Sequence, residues 1–308
     1  MDETRKNAPA KAKSAVRRTR FDMVFDTVIY VLLGLLTLSY LYILIFTVSA
    51  SFSDPNAVYS GKVILWPVDF TLQGYQRVFQ EKMLWTGYGN SLLYMVVGTF
   101  ISTILTLTGA YALSRPELPG RNVITGLLVF TMFFSGGIIP LYLIVRSMKM
   151  LDSMWSLILP GAISMHNLII ARTFFANNIP TGLLDAARID GCNNIRFFFS
   201  IVLALSKPII AVIALYYAIG LWNDYFNAMI YIKTRAKYPL QLFLREILIS
   251  SQTSSAMTGD VLEQEMLAQL QEIIKYTLIV VGSVPLLVIY PFLQKYFVQG
   301  VMIGSLKG

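Results

Sequence analysis

Residues 23–48 read MVFDTVIYVLLGLLTLSYLYILIFTV, and this run decides the fold class. The hydrocarbon core of a bilayer is about 30 Å thick, and a helix crosses it with roughly 20 apolar residues. Asp26 is the one charged residue in the stretch. The run exceeds the roughly 7–15 apolar residues of a signal-peptide core, so despite Ser49-Ala50-Ser51 behind it, it reads as a retained anchor helix. Similar runs recur near 91–113, 123–145, 154–174, 201–223 and 275–293. In lipid an open chain satisfies its backbone only as helix, so these predict an all-α membrane protein with six transmembrane helices. Pro140, Pro160, Pro208 and Pro285 inside them read as kinks or boundaries.

Composition agrees. Of 308 residues, 56% are hydrophobic, 13% aromatic and 14% charged, against about 25% charged in a typical soluble domain. A net charge of +8 raises the question of nucleic acid, but its distribution answers otherwise. Arg5, Lys6, Lys11, Lys13, Arg17, Arg18 and Arg20 all precede or open the first apolar run. With that tail on the inner side, 14 of the 25 lysines and arginines fall in short inner segments and 9 in longer outer loops. That bias predicts cytoplasmic termini. Lys207 and Lys275 sit at expected membrane boundaries. Cys192 and His166 are the single residues of their kinds, too few for a zinc site or internal disulfide, so no metal is expected. No GxxxxGK[ST] loop occurs, so no ATP site of that type is expected here.

The predicted organisation is a basic tail at 1–22, a first span at 23–48, an extracytoplasmic loop at 49–90, a membrane domain at 91–293 and a tail at 294–308. Within the domain, 178–203 is the long inner loop and 224–274 the long outer one. Leu262, Met266, Leu267, Leu270, Ile273 and Ile274, with Glu263, Glu265 and Glu272 between them, have the spacing of an amphipathic helix.

The inner loop carries the functional reading. Asn178 is a candidate N-cap and Pro180 suits a first turn. Leu183, Leu184, Ala186 and Ala187 place small and apolar side chains on a short helix, and Gly191 suits a left-handed stop. Asn193 or Asn194 then starts a second helix entering the membrane. A helix, a glycine corner and a helix form a lever: a small-residue patch admits a partner closely, and the second helix carries displacement inward.

Asp185-Ala186-Ala187, Gly191, Ile201 and Leu203 resemble the EAA loop of ABC-importer permeases, EAA-x3-G-x9-I-x-L-P, with Asp185 for Glu and Ala204 for Pro. Ala110-Tyr111-Ala112-Leu113-Ser114-Arg115, Gly136-Gly137-Ile138-Ile139-Pro140 and Gln294 to Gly300 with Gly304 are similar to binding-protein-dependent sugar permeases. Thr131-Met132-Phe133-Phe134-Ser135 and Lys237-Tyr238-Pro239-Leu240-Gln241 resemble the polysaccharide or complex-oligosaccharide branch. The resemblance implies a type I ABC importer transmembrane fold in a bacterial cell membrane and no catalysis by this chain. It assigns Asp185, Ala186, Ala187, Arg188, Asp190, Gly191 and Ile201 to coupling with a cytoplasmic ATPase. It further implies a heterodimer with a second permease subunit, an ABC ATPase dimer binding ATP and Mg, an extracytoplasmic sugar-binding protein and a carbohydrate cargo.

Polar groups at membrane depth are costly and invite a functional reading. His166 and Asn167 lie within the fourth expected span; Trp222, Asn223, Asp224 and Tyr225 close the fifth. An aromatic face beside an amide or carboxylate suits a sugar ring, and the six are candidate pathway residues. The same residue types also stitch helices together or gather at the membrane interface. A secondary transporter would need midplane acids and internal repeats, and a membrane-embedded enzyme would need a reactive constellation. Neither is apparent in the sequence.

Overall fold

The computed structural model describes residues 19–254, 269–288 and 290–291, and the regular structure among them is helical. Among the described residues, three helices are each long and apolar enough to cross a bilayer: α1 (Arg20–Ser51), α4 (Lys82–Ser114) and Gln269–Val288. Thr19 caps α1: its Oγ1 accepts from Asp22 N while its own N–H donates to Asp22 Oδ2 at 2.8 Å, which satisfies two otherwise orphaned donors. Two short helices, α2 (Pro55–Tyr59) and α3 (Gln73–Gln80), precede α4. The expected loop 49–90 therefore already contains the first turns of α4.

The other spans are bent or broken. Residues 123–145 fall on α5 (Arg121–Phe133) and α6 (Ile138–Ser147), which meet at 112°. Gly137 in the break has φ +83, a conformation that costs glycine nothing. The stretch 154–174, expected as one span, is divided into α7 (Trp155–Ile158) and α8 (Met165–Asn178). Pro160 and Gly161 lie in the gap. At 1.5 Å per residue α8 is only about 21 Å long, short of a bilayer core.

Next come α9 (Thr181–Ile189), α10 (Asn194–Leu205) and α11 (Lys207–Trp222). α10 contains a π-helical turn at Phe198–Val202. Its wider i→i+5 turn accompanies burial of both Phe197 and Val202 in one cluster. α10 and α11 meet at 86° beside Ser206, with Pro208 in the first turn of α11. The bend thus falls just after Ala204, and Pro208 stands where a helix tolerates proline. α12 (Phe226–Tyr231) and α13 (Leu240–Ser254) follow, and Gln269–Val288 is α14. Leu270, Glu272, Ile273 and Ile274 lie on the first turns of α14; Leu262, Glu263, Glu265, Met266 and Leu267, like the 294–304 motif, lie outside the described residues.

α4 is the spine. Gly87, Ser91, Gly98, Ser102 and Thr106 are among its buried positions, a small-residue ridge that lets helices approach. A Cβ on Gly98 would come within 2.6 Å of Leu221 Cδ1. The C-terminal end of α4 packs with α8–α11 around Phe175, Phe197, Val202 and Ile213. Its N-terminal half packs with α11, α13 and α14 around Trp222, Leu240 and Leu278. Tyr94 joins a third cluster with Val145, Leu157 and Tyr231.

Candidate functional site: a polar cavity joined to an exposed corner

One face of α11 and the turn that follows it build a cavity. Tyr216, Tyr217, Gly220, Leu221, Asn223 and Asp224 recur at helical spacing, and Asn227 and Tyr231 continue the wall onto α12. Opposite stand Ser102 of α4, the broken segment at Pro160, Gly161 and Ser164, and His166 and Asn167. The space measures about 840 Å³, within the range of small-ligand pockets. Asn167 is buried, whereas His166 is exposed. Among the described residues the lining carries one carboxylate, Asp224, and neither lysine nor arginine. Asp224 is tied down: Oδ1 accepts from Asn227 N at 3.1 Å and Oδ2 from Asn227 Nδ2 at 3.0 Å. The Tyr231 hydroxyl is buried without a hydrogen-bond partner among the described residues.

The broken helix beside the cavity leaves backbone donors that lipid cannot satisfy. Tyr217 meets one of them. Its hydroxyl accepts from Ser164 N at 2.8 Å and shares a 2.6 Å hydrogen bond with Thr106 Oγ1. That one hydroxyl links α4, α11 and the gap before α8.

Asn223, Asp224, His166 and Asn167 thus come together from distant parts of the sequence. Trp222 does not join them. It is fully buried, and its Nε1 donates to Gly282 O at 3.1 Å. A tryptophan so placed packs the α11–α14 contact and offers no face to a cargo. Tyr225 turns toward a neighbouring cavity, where the Arg245 guanidinium lies 4.7 Å from its ring centroid.

At the far end of α11 the chain forms an exposed corner. Pro180 precedes α9 as its N-cap residue. Asn178, expected in that role, is instead the last residue of α8, and its Nδ2 donates to Phe174 O at 2.9 Å. Gly191 has φ +77, the left-handed conformation that favours glycine. Asn193 then caps α10, its Oδ1 accepting from Arg196 N at 2.8 Å. Asp185 is open to solvent and 3.8 Å from Arg188. Ala186, Ile189, Asp190 and Ile195 are exposed as well, and Ile189 at 87% is as bare as an apolar side chain becomes. Ala187 points the other way, buried at 7% in the cluster with Phe175 and Phe197. Its small size serves the packing of α9 onto the body. Ile201 sits in the π turn and packs on the same cluster.

No protein-family model matches the sequence. The chain is 44% identical over 286 residues to the polygalacturonan/rhamnogalacturonan transport system permease protein YtcP of Bacillus subtilis, covering 92% of this chain and 99% of that one. It is 30% identical to the galactooligosaccharides transport system permease protein GanQ of the same organism, over 91% and 94% of the two chains. Among solved structures it resembles a bacterial ABC transporter that imports the acidic polysaccharide alginate, at TM-score 0.80 and 35% identity, over 91% of this chain and 98% of that one. The chain belongs to the sugar-transport permeases of ABC importers.

The permease therefore has the type I fold expected of it, with α11 as the element that touches both its cavity and, across the Ser206 bend, its exposed corner. Ser102, Tyr216, Tyr217, Asn227 and Tyr231 were not among the sequence candidates. For those on α11 and α12 a signal existed: upstream and downstream of Asn223, Gly220, Tyr216 and Asn227 repeat at intervals of three and four residues, the period of one helix face.

Proposed function

We propose that the permease forms one half of the pathway for an oligosaccharide or polysaccharide fragment, paired with a second permease subunit. A cytoplasmic ABC ATPase dimer, holding ATP and Mg, grips the corner at Asp185, Ala186, Ile189 and Gly191. An extracytoplasmic binding protein delivers the sugar to the opposite end. Both termini of the permease then lie on the ATPase side. One observation carries this reading: α11 lines the polar cavity with its second half and passes through a single bend into α10 and the exposed corner. A push on the corner is transmitted by packed helices to the cavity wall, as alternation between outward and inward access requires.

Purification tests it. A four-component complex whose ATPase activity rises with sugar-loaded binding protein is the expected result. A cysteine at Asp185 is expected to crosslink to the ATPase. Sugar transport by this chain alone, or a position-185 probe labelled from outside the cell, would sink the proposal.

A further inference from the structure

A second cavity of about 650 Å³ adjoins the first, and Asn223 lines both. Its walls, Leu244, Leu248, Leu278, Ile279, Leu286 and Leu287, come from α13 and α14, with Tyr225, Gln241 and Arg245 supplying the polar functions. Among the described residues the two cavities differ in charge: the first is lined by the Asp224 carboxylate and no cation, whereas the second is lined by the Arg245 guanidinium and no carboxylate.

Arg245 differs from its cationic neighbours in how it is used. Arg235 pairs with Glu246 at 3.0 Å, Lys237 with Asp152 at 2.9 Å and Lys275 with Glu272 at 3.4 Å. Arg245, half-buried on α13, holds no carboxylate among the described residues. Its contacts are the Tyr225 ring and the Met229 Sδ, 3.5 Å from Nη1. The ring contact uses the cation's charge and no acceptor, and thioether sulfur is a weak acceptor, so most of the five N–H donors stay unspent among the described residues. A partly desolvated guanidinium held in place by an aromatic ring, facing a cavity, is preorganised for a planar anion, which it meets with two parallel hydrogen bonds.

The structure assigns Arg245, positioned by Tyr225, as the subsite for the carboxylate of a uronic-acid unit in the cargo, with Asn223 spanning to the hydroxyl-binding cavity beside it. This rests on the permease reading above and narrows its substrate class from carbohydrate to anionic oligosaccharide. The charge pattern sets the register: a uronate carboxylate is repelled from the Asp224 side and drawn to the Arg245 side, while the side-chain amides of Asn223, Asn227 and Asn167 meet the hydroxyls of its uncharged edges.

The test uses the assembled complex with its binding protein in proteoliposomes and two probes of equal length, trigalacturonate and an uncharged galactose trisaccharide. Arg245→Gln is expected to slow trigalacturonate uptake about tenfold, the equivalent of ~1.4 kcal/mol, with assembly and sugar-free ATPase activity unchanged. Arg245→Lys, which keeps the charge and loses the fork, is expected to fall between. Unchanged trigalacturonate uptake in Arg245→Gln overturns the assignment. So does loss of assembled complex in both variants, which would make Arg245 a packing residue. Uptake of the uncharged trisaccharide alone by the wild type overturns the substrate class and leaves the permease reading standing. If neither sugar drives uptake and no ATPase co-purifies, the permease reading itself has failed.

Discussion

At the residue scale, the side chains that matter most are those whose environment the sequence does not announce. Asp152, in the connection between α6 and α7, accepts from the backbone N–H of Lys233 at 3.0 Å and Thr234 at 2.8 Å, from the Thr234 hydroxyl at 2.7 Å and from Lys237 Nζ at 2.9 Å. The Thr234 backbone bond, then the Lys237 ammonium and Thr234 hydroxyl, hold its carboxyl well below the usual range. A carboxylate with a depressed folded-state pKa contributes stability that is present above the unfolded value near 4 and lost as pH falls through the folded one. Thermal unfolding of the complex should therefore be indifferent to this group from pH 8 to about 5 and weaken below about 4. Asp152→Ala should cost ~0.5–1.5 kcal/mol at neutral pH, since the cluster is solvent-exposed, and remove that part of the acid sensitivity; a variant with wild-type stability would show the clamp to be idle. On α9, neighbouring alanines should part company. Ala187→Trp overfills a buried site and should lower folded yield, by ~1–3 kcal/mol or more. Ala186→Trp, on the exposed face, should fold normally and lose sugar-stimulated ATPase activity. Equal behaviour of the two variants in both assays would contradict the orientation of α9.

At the element scale, the breaks are what hydropathy does not report. A window average registers that 123–145 and 154–174 are apolar; it carries no information on a 112° bend at Phe134–Gly137 or on a gap at 159–164. Gly137 and the Pro160-Gly161 pair were visible as punctuation, but a kinked span and a broken one share that punctuation. What stabilises the broken form is long-range: Tyr217, more than fifty residues away in sequence, supplies the acceptor that Ser164 N lacks. Tyr217→Phe keeps the ring and removes the acceptor, leaving the part-buried Ser164 N–H and the buried Thr106 Oγ1 without that partner. The expected cost is ~1–3 kcal/mol in unfolding of the complex, with reduced coupling between ATPase activity and uptake because the break beside the cavity loosens. Unaltered stability would mean the backbone finds another partner. The glycine corner, by contrast, was legible, since a helix stop at Gly191 and a cap at Asn193 are local rules. The cap at the start of α9 was misassigned to Asn178 because α8 runs on to that residue, which local rules do not reveal.

At the scale of the whole molecule, the permease exposes what a water-soluble protein would bury. α5 has no buried residue, and the most apolar window of α1 is 0% buried. Leu127, on α5, is 64% exposed. Leu127→Arg would be harmless on a surface facing water; against lipid or a second permease it should cost ~2.5–3.5 kcal/mol and cut the yield of assembled complex, read on a native gel. The sequence by itself determined the membrane class, the helical architecture and the glycine corner, because a bilayer demands long apolar runs with internally paired backbone and a left-handed stop favours glycine. Only the tertiary structure decided which polar side chains share a cavity, that Trp222 and Ala187 face inward, and that Arg245, beside Asn223, meets no carboxylate among the described residues. Those facts depend on the rotation of each helix about its axis and on partners ten or more residues apart, and neither is written in composition or spacing.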